Sequence, residues 1–560
     1  MVACQTPVEN TPAAPPTLQS LFVESEATET AVPSTLTPVP TEEAASIEAT
    51  HTHTPPLEPN VTITINHNDT AIPLNPHILG SNLPIWLTKD RMTDSNFLAQ
   101  TQMSGLSLIR IPGGSWSNYY DWLACERNGF GIDEEAECYW PWAAHPTDLL
   151  NFLQETNLTA MYTINMNGTA KEAAALVAFF NGSVTDETVI GLDVRGRDWG
   201  QVSDWAQLRS DNGNPQPIGI QYWEIGNEIY GGKGDSGTDC VPFGWEDVWT
   251  CDGTEYVNGL GEGTDRKEGY LEYREAMQAV DPAILVGAVG IPIQDDWKDW
   301  GNEVIAAAGD VMDFYIIHQY AFFDPPNAYA TVLAEPFTTW PTIMADVQAA
   351  FDQYADGREV PVAVTEYNLF SVQDQDNEQL MTRMVNALFM ADTVGQMAAN
   401  GVQIAAQWDL SNGQAGNGTD YGLIHADTYQ RYPQYYAYKL WSHFGSELLP
   451  VSTSVPADTV LSVYAGRLDE ATLTILAINK TGEPIASAIL LADTAVFQTA
   501  TADVLTADSL DAQTITFNGQ TNPAVDFSNA PSLPLPITDN PFTYTFAPYS
   551  ITLLQLTLDS

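Results

Sequence analysis

The chain has 560 residues, 44% of them hydrophobic and 10% aromatic, so it can bury a large core; wholesale disorder is excluded and two folded units are expected. Acidic residues outnumber Lys and Arg 72 to 19, and the formal charge of −53 repels phosphate backbones and anionic surfaces. Nucleic acid is thereby excluded as a partner, acidic polysaccharides are disfavoured, and no uninterrupted apolar run reaches the ~18 residues that span a bilayer.

Residues 1–60 contain no Lys or Arg and are rich in Pro, Thr, Ser, Ala and Glu. Such a composition cannot offset chain entropy by burial, so a disordered spacer is expected. Val2-Ala3-Cys4 at its head resembles the end of a bacterial lipoprotein signal, which makes Cys4 the candidate membrane tether. His51 and His53 lie in the same spacer and could bind metal only adventitiously.

From Val61 the texture changes to apolar runs separated by turn residues and helical patterns. Residues 61–76 carry a strand, Val61–Ile65, with no helix after it; it is expected to join a later sheet. Residues 77–445 read as strand-helix units, with eight candidate strands: His77–Leu83, Ser107–Gly114, Thr159–Gly168, Ile220–Glu228, Ile284–Gly290, Asp313–Tyr320, Val360–Asn368 and Gly401–Leu410. Helical spacing falls between them at Thr147–Thr156, Ala170–Phe180, Glu268–Val280, Ile343–Tyr354 and Glu378–Ala399. Phe314–Ile317 and Val362–Val364 are apolar at consecutive positions, as in a parallel sheet covered on both faces. The pattern predicts an α/β fold, a (β/α)8 TIM barrel with long loops. Residues 446–560 lose the helical pattern and show β-rich segments at Val460–Tyr464, Ala471–Asn479, Ala488–Leu491, Thr543–Phe546 and Ser550–Leu556, which predict a C-terminal β-sandwich. Cys125 lies near Cys138 and Cys240 near Cys251, a spacing that fits two short-loop disulfides and a compartment outside the cytoplasm, or else buried free thiols.

In such a barrel, polar residues at the C-terminal ends of strands face the active site. The fourth strand ends in Tyr222-Trp223-Glu224-Ile225-Gly226-Asn227-Glu228 and the seventh in Val364-Thr365-Glu366-Tyr367-Asn368. Glu228 and Glu366, 138 positions apart in sequence, would then face one another across the barrel mouth. Two opposed carboxyls are the apparatus for breaking a glycosidic bond, one protonating the leaving oxygen and the other attacking or assisting at the anomeric carbon. Arg110 and Tyr320 could each keep Glu366 ionised, and an apolar neighbourhood or the charge of Glu366 would raise the pKa of Glu228. Trp116, Trp122 and Trp408 offer flat faces suited to a sugar ring, with core packing as their alternative role. No His, Asp and Glu cluster has convincing metal spacing and no phosphate loop occurs in context, so neither metal nor other cofactor is expected.

These motifs resemble clan A retaining glycoside hydrolases, and family 51 α-L-arabinofuranosidases in particular. Asn227-Glu228 and Glu366 match the strand-four and strand-seven motifs of the clan. Arg110-Ile111-Pro112-Gly113-Gly114 and Asp121-Trp122 resemble the second-strand region of the family, His318-Gln319-Tyr320 its His-x-Tyr, Trp408 its strand-eight tryptophan, and Pro548-Tyr549-Ser550 its last sandwich strand. The resemblance covers roughly residues 77 to 556. It implies Glu228 as acid/base, Glu366 as nucleophile and Asn227 as the asparagine that hydrogen-bonds the sugar 2-hydroxyl; Arg110, His318, Tyr320 and Trp408, with Trp116 and Trp122 read from their flat faces, complete the expected substrate-binding set, with a neutral carbohydrate as partner.

Two features depart from the family. Gly80-Ser81-Asn82 stands where the family has an acidic residue near the end of strand one, and Ile229-Tyr230-Gly231 continues the strand-four motif differently. Room is left for β-xylosidase, xylanase or endoglucanase activity. A catalytically silent glycan-binding protein on the same scaffold is the alternative from another class, although such a module gains little from two close carboxylates. Oligomeric state is not legible in the sequence.

Overall fold

The computed structural model describes residues 58–127, 143–233, 244–493, 496–537 and 541–559. Cys4, His51, His53, Cys138 and Cys240 therefore lie outside the described residues.

Each of the eight expected segments contributes one strand to a closed parallel barrel. The strands are β1 (Gly80–Asn82), β2 (Leu108–Ile111), β3 (Thr159–Ile164), β4 (Tyr222–Ile225), β5 (Leu285–Val289), β6 (Phe314–Phe322), β7 (Val362–Phe370) and β8 (Ile404–Gln407). They pair in sequence order, and β8 closes the ring against both β1 and β7. All nine residues of β7 are buried, which accounts for the consecutive apolar positions. Local chemistry starts the helices where the pattern placed them. Pro146 opens Pro146–Thr156, with Asp148 Oδ2 accepting from the His145 N–H at 3.0 Å, and Thr169 Oγ1 caps Ala170–Asn181 through the Glu172 N–H. The predicted helix Glu378–Ala399 instead divides into a short turn, Leu380–Thr382, and the helix Met384–Ala399. Gln379 in the left-handed region and an extended Arg383 interrupt it.

The β-sandwich consists of a four-stranded sheet and a nine-stranded one. Val61–Ile65 lies in the smaller sheet, antiparallel to Val451–Thr453 and parallel to Ile485–Leu491. Its alternate residues Val61, Ile63 and Ile65 point into a core shared with Leu473, Ile475 and Phe546. The larger sheet includes Phe497–Thr506, a long strand that the sequence pattern did not reveal. Barrel and sandwich meet along Met384–Ala399. Lys480 Nζ lies 2.9 Å from Asp392 Oδ2, both side chains fully buried, off the angle of a hydrogen bond to that oxygen. Tyr464 donates to Asp392 Oδ1 at 2.9 Å. A Cβ on Gly395 would lie 2.2 Å from the Tyr464 ring, so only glycine permits this approach. Among the described residues no helix is long and apolar enough to cross a membrane.

Candidate active site

The C-terminal ends of β1, β2, β4 and β7 converge on one buried guanidinium. Arg110, on β2, has no exposed surface. Its Nε and Nη2 donate to Glu224 Oε2 and Oε1 at 2.5 and 3.1 Å, its Nη1 to Glu366 Oε1 at 2.8 Å and Asn82 Oδ1 at 2.9 Å, and its Nη2 also to Asn227 Oδ1 at 2.7 Å. Burial alone would lower the Arg110 pKa, but the two carboxylates outweigh it and raise it, so the charge is permanent. Glu224 escaped the sequence reading, although an acid inside an apolar strand demands a partner and Arg110 was the candidate cation.

Backbone irregularities aim the carboxyls. At the end of β4 the chain turns through Gly226, φ 81°, to Glu228, φ 45° and ψ 40°. A Cβ on Gly226 would lie 2.5 Å from Ile229 Cδ1. Between β6 and β7 the register shifts, with Ile317 opposite Val364 but His318 opposite Glu366. Regular alternation would send Thr365 and Glu366 to opposite faces; the bulge brings both inward. Thr365 Oγ1 donates to Glu224 Oε1 at 3.2 Å while Glu366 reaches Arg110. His318 and Tyr320, two apart on β6, share a face, and Tyr320 donates to Glu366 Oε2 at 2.7 Å. Burial and the charge of Glu366 hold the Tyr320 phenol well above its ordinary pKa, so it remains a donor.

Glu228, His318 and Glu366 each place one donor atom within 4.8 Å of the other two. His318 Nδ1 is 2.9 Å from Glu228 Oε1 and 3.7 Å from Glu366 Oε2, and its Nε2 is 3.0 Å from Thr365 Oγ1. Because the Thr365 hydroxyl gives its only hydrogen to Glu224, Nε2 is the donor toward Thr365. Nδ1 then either accepts a proton bond from neutral Glu228 or, as imidazolium, donates to the Glu228 carboxylate. One proton serves both groups.

The charges fall differently from expectation. Burial pushes Glu228 up, but the hydrogen bond and charge of His318, with the Trp245 and Tyr230 donors, outweigh it and hold the carboxyl below its ordinary value. Burial lowers His318, and the two carboxylates outweigh that and raise it. The shift of Glu228 thus runs opposite to the rise expected from the sequence, because His318 shares its proton across the 2.9 Å contact. Glu366 lies above its ordinary value: burial pushes it up, His318 and Arg110 pull it down, and the charge of Glu228 pushes it up again. The Arg110 and Tyr320 contacts are both made and both favour ionisation, but burial and Glu228 outweigh them. His318 is 7% exposed and meets both carboxyls, so its contacts in the structure are with Glu228, Glu366 and Thr365.

Trp245 Nε1 donates to Glu228 Oε2 at 2.6 Å and Tyr230 donates to Oε1 at 3.0 Å. Trp245 stands edge-on to Trp297, ring centroids 5.2 Å apart. Trp86 packs edge-on against Trp116 at 5.0 Å and Trp408 at 5.9 Å. Gly113 and Gly114 lie flat against Trp408: a Cβ on Gly114 would come within 2.5 Å of its ring, so these glycines serve close approach as well as turning. Trp122 does not join this wall. It is 3% exposed and packs against Phe179 and Trp205, so its expected sugar contact is corrected to core packing, imposed by the helix Trp122–Glu126.

Asn227 is buried, its Oδ1 held by Arg110 and its Nδ2 donating to Glu246 Oε1 at 3.0 Å. Glu246 is fully buried; burial and the charge of Glu228 push its pKa up to about 8. Nothing in the sequence marked Glu246, Trp245, Trp86 or Asn118: the first three sit in loops and Asn118 in the short 3-10 helix Ser115–Tyr119, none with a fixed spacing to the strand motifs. Glu228, His318 and Glu366 are also the one group among the described residues with donor atoms close enough to hold a metal ion. The fixed charge of Arg110 beside Glu366 disfavours a cation there. Cys125 and Cys251 are each disulfide-bonded, while the partners expected from spacing lie outside the described residues.

No family profile matches the chain. A probable α-L-arabinofuranosidase C of Aspergillus flavus is 23% identical over 41% of this chain and 41% of its own length, so the chain spans less than half of that relative. Among solved structures, the α-L-arabinofuranosidase of Thermotoga maritima in its arabinose complex superposes with a TM-score of 0.65 at 20% identity, covering 89% of this chain and 100% of that one. A family 44 xyloglucanase of Paenibacillus polymyxa superposes with a TM-score of 0.55 at 14% identity, covering 89% and 99%. The chain has the fold of the family 51 α-L-arabinofuranosidases, a closed parallel barrel joined to a β-sandwich.

Proposed function

We propose that this protein is a retaining glycoside hydrolase that releases α-L-arabinofuranose from neutral plant-type carbohydrate. The observation that carries the proposal is the approach of Glu228, His318 and Glu366 to within 4.8 Å. Retaining enzymes hold their carboxyls ~5–5.5 Å apart, whereas inverting ones leave ~6.5–9.5 Å for a water molecule. In the first step Glu366 attacks the anomeric carbon, steadied by Arg110 and Tyr320, while Glu228 protonates the departing oxygen. That proton is the one Glu228 shares with His318 across their 2.9 Å contact. In the second step Glu228 deprotonates the incoming water and the glycosyl ester on Glu366 is cleaved. No cofactor enters either step.

The arabinofuranose assignment is supported by the activity for which the Aspergillus relative and the Thermotoga protein are named. A second reading, cleavage within a β-glucan or xylan chain, is favoured by Asn82 at the end of β1 in place of an acid and by the likeness to the xyloglucanase. Hydrolysis of aryl α-L-arabinofuranoside, β-xyloside and β-glucoside separates the readings: arabinofuranoside turnover, lost in Glu228→Gln and Glu366→Gln, is the result expected. Undiminished activity or binding in both variants would remove the catalytic assignment. The disulfide-bonded Cys125 and Cys251 support a location outside the cytoplasm, with Cys4 as the proposed tether.

A further inference from the structure

We infer that Glu246 is a positioning residue that fixes the direction of the Asn227 amide, and through it the contact made with the hydroxyl on the sugar carbon next to the one under attack. The inference rests on the glycosidase reading above and adds to it a residue that no motif marks.

The placement begins with glycines. After β4 the chain passes Gly231 and Gly232 and returns at Glu246 as a bridge alongside Gly232. The Glu246 N–H donates to the Gly231 carbonyl at 3.2 Å and the Lys233 N–H to the Glu246 carbonyl at 2.9 Å. A Cβ on Gly232 would lie 2.3 Å from the Thr250 carbonyl oxygen, and one on Gly231 2.5 Å from the Trp245 ring, so larger residues would push this returning segment outward. Two consecutive side chains then grip two consecutive site residues. Trp245 donates to Glu228, and Glu246 accepts from Asn227.

The amide of Asn227 has four bonding directions, and most are assigned. Its Oδ1 accepts from Arg110 Nη2 at 2.7 Å, and a guanidinium can only donate, so this oxygen cannot exchange places with the nitrogen. One Nδ2 hydrogen goes to Glu246 Oε1. The other is the polar hydrogen left for substrate. Arg110 also donates to Glu366, and Glu228 follows Asn227 in sequence, so this amide is tied to both catalytic carboxyls, and the clan resemblance of Asn227-Glu228 implies the 2-hydroxyl as the group its remaining hydrogen meets.

Glu246 is suited to this work because both its carboxyl oxygens meet amide donors. Its Oε2 accepts from Asn118 Nδ2 at 2.8 Å, and Asn118 closes the loop by donating to the Asn227 carbonyl at 2.9 Å and accepting from the Asn227 N–H at 3.2 Å. Without an acceptor at 246, two buried amide groups face one another as donors, and the Asn227 side chain loses the partner that resists its rotation. A glutamine retains one acceptor and satisfies one of the two.

The test compares two aryl glycosides of the same sugar, one with and one lacking the 2-hydroxyl, in a cycle of Glu246→Ala, Asn227→Ala and the double variant. Removing a buried partner of this kind costs about 10- to 100-fold. Glu246→Ala is expected to lose that in kcat/KM on the 2-hydroxy substrate, about 3-fold or less on the 2-deoxy substrate, and about 3-fold or less when Asn227 is already alanine. Glu246→Gln is expected to recover part of the loss, and it carries the same comparison should the alanine variant not fold. Equal losses on both substrates, or losses that multiply with Asn227→Ala, would assign Glu246 a purely structural role and overturn the inference. Absence of turnover by the unmodified chain on every glycoside would instead overturn the glycosidase reading.

Discussion

Replacing Arg110 by methionine removes the guanidinium that bridges Glu224 and Glu366 and leaves five buried hydrogen-bond contacts unmade. Methionine approximates the stem of arginine, so lost volume is a minor part of the effect. Breaking a buried ion pair from one side costs about 3–5 kcal/mol, because a charge stays behind without its partner. With an unfolding entropy of ~2 cal/mol/K per residue across a chain of this size, that is a fall in Tm of about 3–5 °C. The catalytic loss is separate: Glu366 loses the guanidinium that favours its ionised form, and about 10²–10³-fold in kcat is expected, as when one preorganised donor is removed from a charged site. A second substitution divides the two roles. Glu224→Gln added to Arg110→Met neutralises the stranded partner and should return much of the lost Tm, while kcat stays low because Glu366 is still without its cation. Thermal unfolding and aryl-glycoside kinetics on the single and double variants give the result. Recovery of kcat together with Tm in the double variant, or an unchanged Tm in Arg110→Met, would refute the division of labour argued here.

Three other outcomes follow from single contacts. Tyr320→Phe removes the 2.7 Å hydrogen bond to Glu366 and should lower kcat/KM about 10- to 150-fold; since that bond favours the ionised carboxylate, the acid limb of the pH–rate profile should move to higher pH, and a profile displaced downward or not at all would contradict the assignment. Trp297 packs against the Trp245 that donates to Glu228, the proposed acid; a role in holding the leaving group predicts that Trp297→Ala lowers kcat/KM about 10-fold on a neutral oligosaccharide and little on an aryl glycoside, and equal losses on both would exclude that role. Asp409 is fully buried with both carboxyl oxygens unpartnered, and burial with the charges of Asp420 and Glu366 holds its pKa well above the ordinary value. Ionising it opposes folding, so the wild-type chain should lose stability relative to Asp409→Asn as pH rises above about 4; the Tm advantage of the variant should be larger at pH 8 than at pH 4, and an equal difference at both would exclude Asp409 as its source.

Strand order was legible because barrel strands announce themselves twice, by continuous apolar runs and by polar residues at one end. Val362–Phe370 showed both signals and is buried along its whole length. Glu228 and Glu366 were legible for the same reason. Glu224 was visible but unread: its meaning depended on Arg110, a cation 114 positions earlier in the chain, and only the pairing of β2 through β3 to β4 brings them together. The inward turn of both Thr365 and Glu366 was not legible, since it depends on a register shift that period-two alternation cannot foresee. The direction of the Glu228 shift was missed for a related reason. Burial of Glu228 was foreseen, but the 2.9 Å approach of His318, 90 positions away, decides the direction. Trp122 misled because an aromatic beside a strand end reads alike whether it faces a cleft or a helix, and here Phe179 and Trp205 claim it.

The most direct measurement is covalent trapping with a 2-deoxy-2-fluoro arabinofuranosyl inactivator bearing a good leaving group, followed by intact-mass analysis and peptide mapping. The account predicts a mass gain of one fluorosugar, localised to Glu366 and absent in Glu366→Gln. A label on any other residue, or substrate turnover that releases the inverted anomer, would contradict it.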